Sequence, residues 1–169
     1  MSKQWKNVEK AIAKLFGGKR VGVTGLNTED VEHDIFSIEV KHRLAIPKWL
    51  MDFVEQAEKE CDSDKLSLVI IHGKNMKYED NLAIIRVGEL IKLISELNRE
   101  YDIFNIRIKR HKIIPHWLMD FIIQAEANSN KDKLPLVVFH GKNMKYEDSL
   151  GILRVKDLVR LVLQLNREP

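Results

Sequence analysis

An internal repeat constrains this sequence more than any other feature. Residues 34–100 align without a gap on residues 102–168 at a constant offset of 68, and 39 of the 67 aligned positions are identical. The block HGKNMKYED occurs at 72–80 and again at 140–148. Chance does not produce identity of this extent, so the chain contains a tandem partial duplication. These two segments are called the first and the second repeat below.

Each repeat carries the same succession of strand and helix patterns. In the first repeat, apolar alternation and flanking turn residues predict strands at about 36–41, 66–71 and 82–87. A helix opened by Pro47 separates the first two strands, and another helix runs to about Asn98. This order predicts an α/β or α+β fold in which helices pack on a sheet.

The beginning of the chain has no counterpart in the second repeat. An amphipathic helix pattern at 3–16 and the segment VGVTGLNTEDVEH precede the first repeat only. We therefore predict one complete unit at 1–100 and a truncated one at 101–169. Because the truncated unit lacks strands that would complete its sheet, one of its edges should expose backbone groups unless something covers it.

Composition favours an intracellular protein. The N-terminal MSKQWKNVEK lacks the apolar stretch of a signal peptide, and the single cysteine, Cys61, excludes an internal disulfide. Residues 1–100 hold 16 Lys/Arg against 17 Asp/Glu, and residues 101–169 hold 12 against 8. We expect a cytoplasmic protein without a membrane partner, whose second half is either a solvated cationic face or the face for an anionic partner.

Several polar residues of the first unit form a candidate site. Glu39 and Lys41 lie two residues apart, on one face of a predicted strand. Asp30 precedes the hairpin that leads to this strand, and Glu9 falls inside the apolar stripe of the first helix. Gln56 lies at the edge of the apolar face of the second helix and could point toward the same place.

Each of these residues also has an ordinary structural interpretation. A Glu and a Lys two positions apart on a strand can be an ion pair, and a lone Glu in an apolar stripe commonly pairs with a basic side chain. Gln56 could border a packing face. Their order along the chain favours a shared site.

This order resembles the PD-(D/E)xK nucleases, in particular phage and archaeal-type Holliday junction resolvases. The resemblance covers about residues 5–90: a helix with Glu, the segment KRVGVTG, an Asp, and a strand with EVK followed by His42 and Arg43. It implies a restriction-endonuclease-like core with a mixed central sheet flanked by helices, here followed by a truncated second copy.

The resemblance also implies a metal-dependent mechanism. Asp30 and Glu39 would hold Mg²⁺ or Mn²⁺, and Glu9 would complete the metal shell. Lys41 would orient or deprotonate the attacking water or stabilise charge on the phosphate, and Gln56 would position the backbone. Four further residues are expected to contact phosphate groups: Arg20, Thr24, His42 and Arg43.

The chain departs from the family pattern before the aspartate. The proline usual there is Glu29 in this sequence. Asp30 and Asp34 therefore both remain candidates for the metal ligand, and spacing alone favours Asp30.

The second repeat has lost the acidic residues of this pattern. Glu39 corresponds to Arg107 and Lys41 to Lys109, while Glu9 and Asp30 have no equivalent, so this repeat cannot hold a catalytic metal in the same way. With Arg110, its strand is cationic and could contact phosphates. Alternatively, Arg107 fills the vacated site and pairs with a neighbouring acid.

Three functions remain open from the sequence. The leading interpretation is a metal-dependent DNA endonuclease acting on branched junctions in phage or microbial DNA processing. The others are a non-catalytic nucleic-acid-binding relative and a structural protein that oligomerises through its repeated units. The expected partners are DNA and either a second copy, in a homodimer, or the second repeat, in an intrachain pseudo-dimer.

Overall fold

Within each repeat, the helices and strands follow one another in the order that the sequence predicts. The computed structural model describes residues 3–22, 28–95, 104–111 and 113–167. The helices are α1 (Lys3–Phe16), α2 (Lys48–Lys59), α3 (Val87–Ser95), α4 (His116–Asn128) and α5 (Val155–Leu165). The strands are β1 (Lys19–Arg20), β2 (Val31–Glu32), β3 (Phe36–Arg43), β4 (Leu66–Gly73), β5 (Leu82–Arg86), β6 (Phe104–His111), β7 (Leu134–Gly141) and β8 (Leu150–Arg154).

The local sequence explains which face of α1 is buried and where the helix ends. Val8, Ile12 and Phe16 recur at helical spacing and are buried. The helix ends at Phe16, and the following Gly17 has a φ of 68°, a left-handed conformation that glycine adopts without steric cost. Gly18 then donates a backbone hydrogen bond to the Ala13 carbonyl, which closes the last turn and directs the chain into β1.

All the strands of the described residues lie in one mixed sheet, in the order β1-β2-β3-β7-β8-β5-β4-β6. β3 runs parallel to β7 and β4 parallel to β6, while the other neighbours are antiparallel. The expected mixed sheet with flanking helices is therefore confirmed. The repeats are not successive along this sheet, because the first strand of each repeat pairs with the second strand of the other.

The strand register relates the two repeats by an approximate two-fold rotation. At the centre of the sheet Ile84 pairs with Ile152, its own equivalent at the offset of 68. Arg86 binds Glu58 through two hydrogen bonds and also donates to the Asp148 carbonyl of the other repeat. The equivalent residues of the second repeat, Arg154 and Glu126 with the Asp80 carbonyl, make the same contacts.

Helices cover both faces of the sheet. One apolar core joins α1, α3 and α5 to the face that carries Ile38 and Val40. The other joins α2 and α4 to the opposite face. Because β3 lies beside β7, helix α4 of the second repeat packs on β3 of the first. No helix in the described part of the chain is long and apolar enough to cross a membrane.

Candidate active site

Glu39 and Lys41 form the centre of the candidate site. They alternate with Ile38 and Val40 along β3, so both point to the α4 side of the sheet. Lys41 Nζ donates to Glu39 Oε1 over 2.8 Å, and Glu39 is only 4% exposed. A buried carboxylate is costly unless it is paired, and this contact supplies part of the compensation.

Helix α4 supplies two further polar groups to this pair. Gln124 Oε1 accepts a hydrogen bond from Lys41 Nζ over 2.7 Å, and Asn128 Nδ2 donates to Glu39 Oε2 over 3.2 Å. They lie four residues apart and therefore on one face of the helix. Both come from the second repeat, whereas the sequence offered Gln56 of the first repeat for this place.

Gln56 does not join Glu39 and Lys41. Its Oε1 accepts a hydrogen bond of 2.6 Å from Lys109 of β6. The reason is the sheet order: α2 packs on β4 and β6, while α4 packs on β7 and β3. Gln124, the equivalent of Gln56 at the offset of 68, lies beside Lys41 instead.

Asp30 lies at the edge of β3, immediately before β2. Its Oδ2 accepts a hydrogen bond of 2.7 Å from the Val40 backbone N–H, one residue after Glu39. Burial, the negative charge of Glu39 and, to a smaller extent, that of Glu9 together raise the pKa of Asp30 to about 6, against the lowering effect of the Val40 N–H. The alternative residue, Asp34, lies exposed in the turn between β2 and β3.

Glu9 points inward from α1, as its place in the apolar stripe predicts. It is 3% exposed, and its Oε2 accepts a hydrogen bond of 2.6 Å from Arg20 Nε. Arg20, expected to contact phosphate, is therefore held by a carboxylate of its own chain. Glu9 nevertheless lies near enough to raise the pKa of Asp30 electrostatically.

The donor set agrees in chemistry with a hard divalent cation. Asp30, Glu39 and Glu9 offer carboxylate oxygens, which Mg²⁺ and Mn²⁺ prefer, and the charges of Glu39 and Glu9 add to the effect of burial in raising the pKa of Asp30. Within the described residues, however, no three acidic, histidine or cysteine side chains converge closely enough to hold one ion. The residues that would hold a cation are Asp30, Glu39 and Glu9, and in this structure Glu39 is bonded to Lys41 and Glu9 to Arg20.

The other expected phosphate contacts fall on different faces. Arg43 is exposed at the end of β3, on the α4 side of the sheet with Lys41. Its Cζ lies 5.3 Å from the centre of the Trp117 ring and 5.2 Å from the centre of the Phe121 ring. His42 faces α1, stacks on His140 at 5.6 Å and lines a cavity of about 440 Å³. Thr24 lies outside the described residues.

The equivalent place in the second repeat is closed by an ion pair. Arg107 pairs with Glu60, which follows α2, and Lys109 donates to Gln56 of α2. Of the two interpretations of Arg107, the pairing with a neighbouring acid is the one that its contacts support. Arg110 lies opposite His72 in the register of β6, and its side chain lies outside what the structure describes.

The sequence did not identify Gln124 and Asn128 as site residues. Gln124 carries a detectable signal, because it repeats Gln56 at the offset of 68. Asn128 carries none, since its equivalent is Glu60. Assigning either to Glu39 requires the long-range pairing of β3 with β7.

No protein-family model matches the chain, and no curated protein or solved structure is significantly similar to it. The functional argument therefore depends on the geometry of the site and on the residues that form it.

Proposed function

We propose that the protein is a metal-dependent endonuclease that hydrolyses phosphodiester bonds in DNA, with a preference for branched junctions. One observation carries the proposal. Glu39, Lys41 and Gln124 are in direct contact, and Asp30 lies beside them with a pKa raised to about 6 by burial and by neighbouring carboxylates. Grouped acids beside a lysine are typical of a site that binds a cation and a phosphate.

The roles of the side chains follow from their contacts. Asp30 and Glu39, with Glu9 behind them, would hold Mg²⁺, which when bound supplies Lewis-acid stabilisation of phosphate charge. Lys41 has three N–H donors, and Glu39 and Gln124 accept from two of them in the resting protein. The third donor could bind a water or a phosphate oxygen.

Gln124 acts as a positioning residue for Lys41. Its carbonyl oxygen fixes the ammonium group beside the acidic cluster without adding a charge. The centre of the Phe121 ring lies 5.4 Å from Lys41 Nζ, and this cation–π contact also holds the ammonium group in place. A lysine held in this way needs little reorganisation when negative charge develops on a phosphate.

Arg43 extends the cationic surface along the substrate. Its guanidinium group is exposed and lies over the two rings of Trp117 and Phe121, so its orientation is restricted before DNA arrives. Arginine in such a place suits the fork geometry of a phosphate. It would contact the backbone near the scissile bond.

Cleavage of labelled DNA tests the proposal. A four-way junction and a duplex of matched sequence are incubated with the protein and Mg²⁺ or Mn²⁺. We expect metal-dependent cutting that Glu39→Ala and Lys41→Ala abolish, with the junction cut faster than the duplex. Lys109→Ala is the matched control, because Lys109 is the equivalent of Lys41 in the repeat without acids and should leave cutting unchanged.

A second pair of variants tests the contribution of α4. Gln124→Ala should slow cutting about tenfold to a hundredfold, which is the usual effect of removing a group that positions a catalytic side chain. Gln56→Ala removes the equivalent side chain beside Lys109 and should have no effect. Equal losses in both variants would contradict the assignment of Gln124.

The alternative functions give different results in the same assay. Salt-sensitive binding of DNA without cutting in either metal would favour a non-catalytic nucleic-acid-binding protein. Absence of both binding and cutting would favour a structural protein. Either result would overturn the endonuclease proposal.

A further inference from the structure

The outer edge of β6 is open in the described part of the chain. β6 is the last strand of the sheet, and its register is with β4 on one side only. A strand of eight residues at a sheet edge presents a row of backbone donors and acceptors that another strand can pair with. The edge at the other end belongs to β1, which is only two residues long.

The same strand exposes large apolar side chains. Ile106 is 55% exposed and Ile108 is 65% exposed. Their equivalents in the first repeat, Ile38 and Val40, are both 0% exposed. Equivalent positions of the two repeats are therefore buried in the core in one repeat and exposed at the surface in the other.

Strand β3, the equivalent of β6, shows what covers this face in the complete unit. Val8 and Ile12 of α1 belong to the core that contains Ile38 and Val40, and β2 pairs with the outer edge of β3. Neither α1 nor β2 has a counterpart in the second repeat. The β6 surface, defined as the outer edge of β6 with Ile106 and Ile108, thus has neither a strand nor an apolar layer from the described residues.

We propose that the β6 surface binds the β6 surface of a second copy of this chain, with the two β6 strands antiparallel and centred on Ile106. This register places Ile106 opposite Ile106 and Phe104 opposite Ile108 on one face, because side chains two residues apart share a face. The surface is therefore self-complementary, as a two-fold interface requires.

Two charged side chains of β6 contact residues of their own chain. Arg107 is paired with Glu60, which follows α2, and Lys109 is bonded to Gln56 of α2. The face turned away from Ile106 and Ile108 therefore has polar partners already, and the charge of Arg107 is neutralised by Glu60 before two copies meet.

The association closes at two copies. Growth of a fibre would need β6 of one copy to pair with the opposite edge of the next, and that edge is the dipeptide Lys19–Arg20 with Arg20 bound to Glu9. A two-residue cationic strand offers no apolar face to Ile106 and Ile108. A symmetric dimer uses the open surface of each copy once.

Sedimentation equilibrium of the full chain tests the proposal. At about 100 µM wild-type protein should be a dimer, and the double variant Ile106→Lys with Ile108→Lys should be a monomer with an unchanged circular dichroism spectrum. Ile123→Lys is the control, because Ile123 is 53% exposed on α4, away from β6, and should stay dimeric. A monomeric wild type, or a dimeric double variant, would overturn the proposal.

Cross-linking tests the register. Ile106→Cys in a Cys61→Ser background should form a disulfide-linked dimer under mild oxidation, since the proposed centre places this residue beside its own copy. Ile123→Cys in the same background should remain uncross-linked. Cross-linking of Ile123→Cys but not of Ile106→Cys would place the contact elsewhere on the molecule and contradict the β6 interface.

Discussion

Replacement of Asp30 by asparagine should stabilise the protein at neutral pH. A carboxyl group whose pKa is higher in the folded chain binds its proton more tightly there, so its contribution favours folding at low pH and is lost as the pH rises. For Asp30 this loss spans the interval from the ordinary value of 3.8 to about 6. Asparagine carries no charge and retains an oxygen for the Val40 N–H.

The magnitude follows from the same pKa. A rise from 3.8 to about 6 corresponds to about 3 kcal/mol of unfavourable free energy for the ionised form in the folded state. Because Asp30 is only partly buried, solvent screening should reduce this to about 1–2 kcal/mol. Asp30→Asn should therefore increase the free energy of unfolding by that amount at pH 8 and have little effect at pH 3.5.

Urea denaturation between pH 3.5 and 8 measures this difference. The control is Asp34→Asn, whose side chain lies exposed in the neighbouring turn and should show no such rise with pH. The reasoning is refuted if Asp30→Asn destabilises the protein at pH 8, or if its effect is the same across the whole interval.

Repeating the urea denaturation with Mg²⁺ links this measurement to the proposed site. Wild type should gain about 1.4 kcal/mol at pH 8 from Mg²⁺ at ten times its dissociation constant, since a ligand stabilises the state that binds it. Asp30→Asn should gain much less. Equal stabilisation of both proteins would show that the cation binds elsewhere.

Three further predictions concern the frame around the site, each measured by urea denaturation. Gly18→Ala should cost about 2 kcal/mol, because a Cβ there would lie 2.4 Å from the Glu32 carbonyl oxygen, whereas Gly22→Ala meets open space and should be nearly neutral. Arg154→Met should cost about 2–3 kcal/mol, because it leaves a carboxylate and a carbonyl of the other repeat without their donor. Asn128→Asp should destabilise the protein more at pH 8 than at pH 4, because it replaces a donor to the site carboxylate by a second negative charge.

The sequence predicts the elements of this fold well because their signals are local. The stripe of α1, the proline before α2 and the alternation in β3 each lie within a few residues, and the structure has helices and strands at these places. The hairpin that brings Asp30 beside β3 is equally local. These signals place Asp30, Glu39 and Lys41 together without knowledge of the whole sheet.

The order of the strands is not local, and the sequence does not determine it. Either repeat could in principle pair its own first and second strands, since β3 and β6 have nearly the same apolar pattern. The observed exchange of first strands places α4 rather than α2 beside Lys41. Gln56 and Gln124 are interchangeable by sequence, and only the pairing of β3 with β7 distinguishes them.

The exchange also explains how one half of the molecule can keep a cluster of acids that the other half lacks. On each side of the sheet, the first strand of one repeat packs against a helix of the other repeat. The charge of a strand residue must therefore suit a residue on a distant segment of the chain. Glu39 faces Asn128, a neutral donor, and Arg107 faces Glu60, a carboxylate. A glutamate at 107 would instead lie against Glu60, and the two carboxylates would repel each other. The residues at the C-terminal ends of α2 and α4 therefore restrict the grouped acids to the β3 side of the sheet.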